Sequence, residues 1–310
     1  MRSWRAIVRA TTLEVTSEPL VLLITLSAAA MVAIAAAFHL HQFGEPSRMA
    51  REAGLSALLV FGLAYAVFCT IRVFRREIES GTAQMALSHP VSRAGFFLSK
   101  VAGAVGAYLV FAVTTGCVVL ITTIGAETGG LIAAVKGDIP LVWGPAIALD
   151  TAVMILPLAV AAALNRFASR RFTVNAVRIA FLLAPVALAI AAVAARMFCA
   201  SAFPNAAYDV LASARRLVPA LVAVVLPAPV FATAAAAFAV RFKGNAAASL
   251  SAALFVVSLP ALSGYYLSDA LAKGGSPSWG FVALAAVATL PFLAAFAVLG
   301  ISLFGDRDVG

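Results

Sequence analysis

Residues 101–124 have the sequence VAGAVGAYLVFAVTTGCVVLITTI, a run without a charged side chain. A helix of about 20 apolar residues crosses the hydrocarbon core of a bilayer, because each residue adds about 1.5 Å. The apolar residues follow one another without the alternation that membrane β-barrel strands show. The run therefore predicts a transmembrane helix.

The composition extends this prediction to the whole chain of 310 residues. Hydrophobic residues make up 63% of it and charged residues only 11%, whereas soluble domains carry roughly 25% charged residues. A soluble globular enzyme is excluded, because a soluble surface would not cover so many apolar segments. Seven further apolar runs have a similar length: 20–38, 54–72, 143–164, 179–198, 217–240, 246–267 and 281–304. We predict an all-α polytopic transmembrane helical bundle of about eight spans.

The sixth of these runs is interrupted by Pro219, Pro227 and Pro229. Proline removes a helical hydrogen bond, and the freed carbonyl groups need neighbours that satisfy them in lipid. Residues 199–245 therefore contain either a full span or a re-entrant segment.

The basic residues predict the orientation. The formal net charge of +9 would suggest a nucleic-acid partner in a soluble protein, but here the partner is the lipid bilayer and we expect no nucleic acid. With eight spans and a cytoplasmic N-terminus, all but seven of the 22 Lys and Arg residues lie inside; the exceptions are Arg48, Arg51, Lys136, Arg196, Arg215, Arg216 and Lys273. Cytoplasmic loops are enriched in Lys and Arg. We therefore expect a multi-pass protein of the cell (inner) membrane with both termini in the cytoplasm.

Residues 1–18 combine three arginines with Trp4, Ile7 and Val8 at roughly helical spacing. This pattern favours a retained interfacial helix on the membrane surface over a cleaved signal peptide. No Gly/Ser-rich linker divides the chain and no connection is long enough for a soluble domain. We expect one transmembrane domain over residues 1–310.

The most polar segment is the predicted cytoplasmic loop 73–100. Its first part, Phe74 to Glu79, is typical of a charged extension of the second span. Gly81 is expected to break that helix, and Thr82 to Leu87 to form a short one that ends before Pro90. Ser92 is a candidate N-cap of the next helix.

This loop carries a family resemblance. The run EIESGTAQMALSHPVSR over residues 77–93, followed by FFLSK over 96–100, resembles the signature loop of ABC transporter permeases of the type-2, exporter-like superfamily. The chain end, from Phe304 through Asp306 and Arg307, is similar to the end of those permeases. Family members usually have six spans, so the resemblance implies six spans plus an inserted pair within residues 165–245.

The resemblance implies that loop 73–100 docks into a separate cytoplasmic ABC ATPase and couples it to the permease. Two permease subunits, as copies or paralogues, would then assemble with two ATPase subunits. The matching positions are Glu77, Glu79, Gly81, Thr82, Pro90 and Arg93. Independently of the family, acidic groups near the cytoplasmic leaflet favour pairing with Arg75, Arg76 or the cations of a partner.

Catalytic motifs are missing from the sequence. No G-x-x-x-x-G-K-[ST] run occurs, so we expect no ATP hydrolysis by this chain and place ATP and Mg²⁺ in the partner ATPase. No cofactor or metal is expected here. The cysteines Cys69, Cys117 and Cys199 lie in or beside apolar runs without paired spacing. His39 and His41 are interpreted as interfacial polar residues, with metal binding as the less favoured alternative.

Asp150 lies within the fourth apolar run. An ionisable group in a span faces protein or water rather than lipid. Asp150 is therefore either a residue of the substrate path or half of a structural pair, for which Arg196 is the candidate partner.

These observations favour the permease subunit of an ATP-driven ABC transporter, and the resemblance implies an exporter. Two alternatives stay open. One is a non-transporting membrane scaffold that anchors an ATPase, against which the short outside loops argue. The other is an ion-coupled secondary transporter, which would need several ionisable residues near the midplane. The substrate does not follow from the sequence.

Overall fold

The computed structural model describes residues 2–37, 46–80, 92–136, 142–169, 171–202, 209, 211–266 and 277–305. This part of the chain forms ten helices and contains no strand. They are α1 (Arg2–Thr16), α2 (Pro19–Ala37), α3 (Pro46–Glu79), α4 (Arg93–Lys136), α5 (Gly144–Ala168), α6 (Phe172–Ala202), α7 (Leu211–Val225), α8 (Pro227–Arg241), α9 (Gly244–Tyr266) and α10 (Trp279–Gly305). The predicted all-α polytopic bundle is confirmed.

Six helices are long and apolar enough to cross a membrane: Ala50–Glu79, Arg93–Lys136, Gly144–Ala168, Phe172–Ala202, Ala214–Arg241 and Trp279–Gly305. A seventh is obtained if α1 and α2, which meet at an angle of 66°, count as one broken span. The apolar stretch Gly244–Val257 of α9 is shorter, although the helix continues to Tyr266. The count of eight stays a prediction.

The proline-rich region forms a span of 28 residues, Ala214–Arg241. It consists of α7 and α8, which join at Leu226, and Pro227 opens α8 where its missing N–H group costs no helical hydrogen bond. The helix α8 is almost completely buried. Of the two alternatives for residues 199–245, the structure thus supports a full span.

The long helix α4 is the centre of the bundle and has 44 residues. It packs against α1, α3 and α6, and small residues bring these helices close. A Cβ atom at Gly54 would lie 2.5 Å from Val119 Cγ1, and one at Gly103 would lie 2.5 Å from Thr11 Cβ. Close approach at small residues is how helices pack in a membrane, where the hydrophobic effect between them is weak.

The outer helices expose apolar side chains, as expected for lipid contact. In α10 the buried residues are Val282, Ala285, Gly300 and Phe304, whereas large side chains such as Leu284, Leu290 and Phe292 are exposed. In water this surface would be unfavourable, but in a bilayer the lipid tails cover it. The polar contacts between helices therefore lie away from these lipid-facing surfaces.

Several hydrogen bonds gather at the end of the bundle that holds α1, which we call the α1 end. Thr173 Oγ1 at the start of α6 donates to Ser17 O at 2.7 Å. Arg93 at the start of α4 donates to Gly305 O at 2.7 Å. The helix α1 and the C-terminal end of α10 therefore lie at the same end of the bundle, as the alternating topology predicts.

Candidate functional site

The predicted coupling segment 73–100 has two described flanks at the α1 end. The helix α3 continues to Glu79, so the predicted charged extension of the second span is confirmed. The residues of the predicted short helix lie outside the described residues, and so do three of the candidate coupling residues: Gly81, Thr82 and Pro90.

The second flank begins at a helix cap. The backbone N–H of Gly95 donates to Ser92 Oγ at 3.1 Å, and Phe96 N donates to Ser92 O at 2.9 Å. A serine side chain in this position satisfies one of the free N–H groups of a first helical turn. The predicted N-cap at Ser92 is confirmed, and it sets the direction in which the segment joins α4.

Glu77 faces the protein interior. Its Oε1 accepts a hydrogen bond from Lys100 Nζ on α4, while its Oε2 is buried without a hydrogen-bond partner. The Lys100 side chain is only 7% exposed, and its Nζ also lies 3.8 Å from Glu14 Oε2 and 5.8 Å from the centre of the Phe96 ring. Glu77 thus joins α3 to α4 through a shielded ion pair.

Glu79 lies on the surface. It pairs with Arg75 one turn earlier on α3, and 61% of its side chain is exposed. Arg75 Nη1 also lies 3.5 Å from the carbonyl oxygen of Phe242, just after α8. Of the two acidic candidates, Glu79 is therefore the one that is accessible to a partner.

Arg93 connects the start of α4 to the end of α10. Its guanidinium donates to Gly305 O at 2.7 Å, which satisfies a carbonyl at a helix C-terminus. Beside this bond the rings of Phe96 and Phe304 stack with centroids 5.9 Å apart. Arg93 and Phe96 of the loop motif thus contact the chain-end motif at Gly305 and Phe304.

A second aromatic contact strengthens this junction. The Phe97 side chain is fully buried and packs against Phe74 at a centroid distance of 5.2 Å. Its ring occupies the space where a side chain at Gly300 would begin. The absence of a Cβ atom at Gly300 therefore allows α10 to approach α4.

An ion-pair network links α1 to α3 at the same end. Arg72 Nη2 lies 3.0 Å from Glu18 Oε2, and Arg76 Nη1 lies 3.5 Å from both Glu18 Oε1 and Glu14 Oε1. The carboxylates are the more buried partners, whereas the arginine side chains are 58% and 62% exposed. One carboxylate, Glu18, therefore holds two guanidinium groups side by side.

Hydrogen bonds also fix α1 along α4. Thr12 Oγ1 donates to Gly103 O at 3.0 Å, and it is equally close to Val8 O within α1. Thr11 and Val15 are buried on this face, while Trp4 is exposed. The helix α1 is thus amphipathic as predicted; its position at the membrane interface stays a prediction.

Asp150 on α5 is buried, with 2% of its surface exposed. Thr122 Oγ1 on α4 lies 2.8 Å from Asp150 Oδ2, and Oδ1 has no hydrogen-bond partner. The expected pair with Arg196 is wrong: among the described residues no ion pair joins the two, because Arg196 lies on an exposed face of α6. Asp150 instead joins α5 to α4 through a hydroxyl group.

Asp150 lies far from the α1 end. The path along α4 from Lys100 to Thr122 measures about 33 Å at 1.5 Å per residue, which is close to the thickness of the hydrocarbon core. Beyond it, Glu127 is buried and lies 3.8 Å from Arg51 on α3. Asp150, which the sequence placed within a span, is therefore close to the boundary of the apolar region that lies opposite the α1 end.

Between these two polar levels lies an apolar cavity, bordered by α2, α3, α4, α5 and α6. Its free space is only about 20 Å³, room for roughly one water molecule. The stacked rings of Tyr65 and Phe111, 5.0 Å apart, form one wall, and Met154 and Pro157 another. The lining is apolar, but this conformation contains no ligand-sized space here.

The described residues contain no group of three or more His, Cys, Asp or Glu side chains that would hold a metal ion. The three cysteines are buried and unpaired. His39 and His41, for which metal binding was the less favoured alternative, lie outside the described residues.

Several site residues escaped the sequence analysis. Lys100 was noted only as a motif position, and Glu14 and Glu18 were given no role. A signal did exist, because two acids four residues apart, Glu14 and Glu18, match in spacing two cations four residues apart, Arg72 and Arg76; the cations share one face of α3, whereas Glu18 lies just beyond α1. Their meeting depends on the 66° bend between α1 and α2, which periodicity does not predict.

The fold and these polar groups define a multi-pass helical membrane protein whose polar contacts gather at one end. The sequence model described as ABC-2 family transporter protein matches residues 17–174, more than half of the chain. Searches of curated proteins and of solved structures returned no match.

The chain belongs to the ABC-2 transporter family and is a permease component of an ABC transporter. The resemblance noted in loop 73–100 is confirmed, since the match includes this segment. Membership implies an ABC ATPase as partner in general. The match ends at residue 174, near the start of region 165–245, for which the sequence predicted an inserted pair of spans.

Proposed function

We propose that this chain is the membrane subunit of an ATP-driven exporter and that segment 73–100 docks into a separate cytoplasmic ATPase. The observation that carries the proposal is the connection of both flanks of the segment to the rest of the bundle. Through Lys100 and Glu77 the flanks are joined to each other, and through Arg93 the second flank is joined to α10.

These contacts suggest how force would pass from the ATPase to the spans. Movement of the segment would act on α3 and α4 together, because Glu77 and Lys100 form a shielded pair. It would reach α1 through Glu14 and α10 through Gly305. A rigid-body change between inward and outward openings would follow from closure of the ATPase. ATP and Mg²⁺ would be bound by the ATPase, not by this chain.

A second permease subunit, identical or paralogous, completes the proposed assembly of two permeases and two ATPases. The exposed apolar faces of the outer helices leave room for such contacts in the membrane. Crosslinking in native membranes, followed by determination of the mass of the complex, tests the stoichiometry.

The docking surface is proposed to include Glu79, whose side chain is exposed. Replacing Glu79→Lys, or deleting residues 81–87, is expected to release the ATPase while the permease stays in the membrane. Copurification in mild detergent, with the ATPase quantified by mass spectrometry, measures this. Arg48→Glu, on the helix end far from the segment, is the control and should leave ATPase recovery unchanged. Unchanged recovery in the Glu79 and deletion variants would overturn the docking assignment.

We also propose that the α1 end faces the cytoplasm and that both termini lie there. The basic residues that the positive-inside rule assigns to the cytoplasm, among them Arg72, Arg93 and Arg241, belong to helix ends near this level. Single cysteines at Ser169 and Ser276 are expected to react with impermeant reagents from opposite sides. Labelling from the same side would contradict the eight-span topology.

Transport and scaffolding are separated by reconstitution. An exporter in vesicles with its ATPase should move a lipid or apolar substrate in an ATP-dependent manner, whereas a scaffold should stimulate the ATPase without net movement. The apolar side chains beside Tyr65 and Phe111 make an apolar or amphipathic substrate the first class to test.

A further inference from the structure

A crevice opens between α1, α2 and α3 at the α1 end of the bundle, and it has two chemically different walls. Its outer wall carries the arginines and glutamates of the ion-pair network, and its inner wall is apolar. It is shallow, with a free space of only about 10 Å³. The residues that line it include Glu18, Arg72 and Arg76 on the polar side and Leu20, Val21 and Phe68 on the apolar side.

The exposed face of α3 places this crevice at a lipid boundary. Phe68, Arg72 and Arg76 follow one another at intervals of four residues and form a stripe of exposed side chains. Phe68 lies on the side of the apolar span, and the arginines on the side of the α1 end. In a leaflet the acyl chains lie towards the membrane centre and the headgroups towards water. An apolar side chain followed by cations along one outward face matches this order.

The arginines are held in position for a phosphate group. Glu18 uses its two oxygens for two different arginines, Arg72 at 3.0 Å and Arg76 at 3.5 Å. Each guanidinium has five N–H donors, and more than half of each side chain remains exposed. Arginine pairs of this kind bind phosphate oxygens with several hydrogen bonds at once.

The surrounding charge favours an anion. The lining holds two arginines, Arg72 and Arg76, and two glutamates, Glu14 and Glu18, but the arginine side chains are 58% and 62% exposed whereas the carboxylates are more buried. The charge that an incoming headgroup meets first is therefore positive. An anionic headgroup should therefore bind more tightly here than a zwitterionic headgroup that carries a quaternary ammonium group.

We propose that this crevice binds an anionic glycerophospholipid from the leaflet at the α1 end. Its phosphate lies against Arg72 and Arg76, and the upper part of one acyl chain lies along Leu20, Val21 and Phe68. The lipid fills the angle between α1 and α2 and connects both to α3. Neither the ATPase nor the transported substrate enters this argument, so the site is independent of the proposed function.

The test is competitive lipid binding to the purified full-length chain. The protein in detergent is mixed with equal amounts of phosphatidylglycerol, phosphatidylcholine and diacylglycerol, and retained lipids are counted by native mass spectrometry. We expect retention of phosphatidylglycerol above the other two. In Arg72→Gln/Arg76→Gln the retained phosphatidylglycerol should fall about tenfold or more, since hydrogen bonds to charged groups are lost.

A second variant keeps the ion pairs intact. Leu20→Trp fills the apolar wall without a change of charge and is expected to lower phosphatidylglycerol retention to a similar extent. If the double arginine variant fails to fold, Leu20→Trp tests the proposed lipid site by itself. Arg166→Gln, at the exposed end of α5, is the matched control and should retain phosphatidylglycerol like the wild type.

Three results would overturn the proposal. The first is equal retention of phosphatidylglycerol in the wild type and in the folded crevice variants, and the second is equal retention of phosphatidylcholine. The third is displacement of phosphatidylglycerol by millimolar inorganic phosphate, which would indicate a site for free phosphate. A change of oligomeric mass in Leu20→Trp without loss of lipid would place a second copy of the chain in the crevice instead.

Discussion

Two acids of this permease, the partly buried Glu77 at the α1 end and the buried Asp150 about 33 Å away along α4, are satisfied in different ways. Glu77 has a cation, Lys100, on the neighbouring helix. Asp150 has one hydrogen bond, from the Thr122 hydroxyl, and its second oxygen is buried without a partner. Both acids join α4 to a neighbouring helix, but only one of the joints contains an opposite charge.

The difference indicates which of the two helix–helix contacts depends on charge. A buried ion pair is strongly destabilising to break, because the remaining charge has lost both its partner and water. A buried carboxylate beside a hydroxyl group keeps its hydrogen bond when it is replaced by an amide. Charge should therefore be needed at Glu77 and dispensable for stability at Asp150.

The largest effect is expected for Lys100→Met, which leaves the partly buried Glu77 without its cation. The free energy of unfolding should fall by about 3–5 kcal/mol. Reversible unfolding of the purified protein in mixed micelles with increasing denaturing detergent measures it. The double variant Lys100→Met/Glu77→Leu should recover most of the loss, and equal losses in the single and double variants would show that the pair itself is not the joint.

The next effect concerns the junction of α10 with α4. Gly300→Leu requires the Phe97 ring to move, since that ring fills the space beside Gly300. Overpacking of this kind costs about 1–3 kcal/mol of unfolding free energy. Gly116 of α4 has no atom within 4 Å of an added Cβ, so Gly116→Ala is the control and should be neutral or stabilising. Equal stability of both variants would show that α10 does not rest on Phe97.

A smaller effect is expected at the other joint. Thr122→Val removes the donor to Asp150 and should lower the free energy of unfolding by about 1–2 kcal/mol, because a buried acceptor is left unsatisfied. Asp150→Asn should stay within about 1 kcal/mol of the wild type or exceed it. The same unfolding measurement compares them. A loss for Asp150→Asn as large as that for Lys100→Met would mean that Asp150 also depends on its charge.

The smallest effect is expected for the exposed pair of Arg75 and Glu79. Pairs of this exposure contribute at most about 1 kcal/mol, and solvent screening reduces the value further. Glu79→Gln should therefore leave stability nearly unchanged in 1 M salt, where screening is strongest. ATPase recovery is the second readout: if it also stays unchanged for both Glu79→Gln and Glu79→Lys, Glu79 has no part in docking.

The sequence was sufficient where a local pattern decides. Apolar runs of span length identify the helices, because a bilayer requires continuous apolar side chains and internally bonded backbone. The cap at Ser92 and the extension of α3 to Glu79 followed from short-range rules. Motifs in residues 77–100 indicated the family.

The sequence alone was not sufficient where residues distant along the chain meet. It offered Arg196 as the partner of Asp150, since both belong to neighbouring spans and have opposite charge. The rotation of α5 and α6 about their axes turns Asp150 towards Thr122 and Arg196 outward, and in spans that are apolar all round no periodicity reveals that rotation.

The amino-acid sequence by itself determined the all-α membrane class, the segments that form apolar helices, and the family, because each depends on residues adjacent in the chain. Only the tertiary structure decided that Glu77 binds Lys100, that Arg93 and Phe96 meet the end of α10, and that Glu18 holds two arginines beside an apolar crevice. These contacts depend on the bend between α1 and α2 and on the rotation of each helix, which result from packing over the whole bundle.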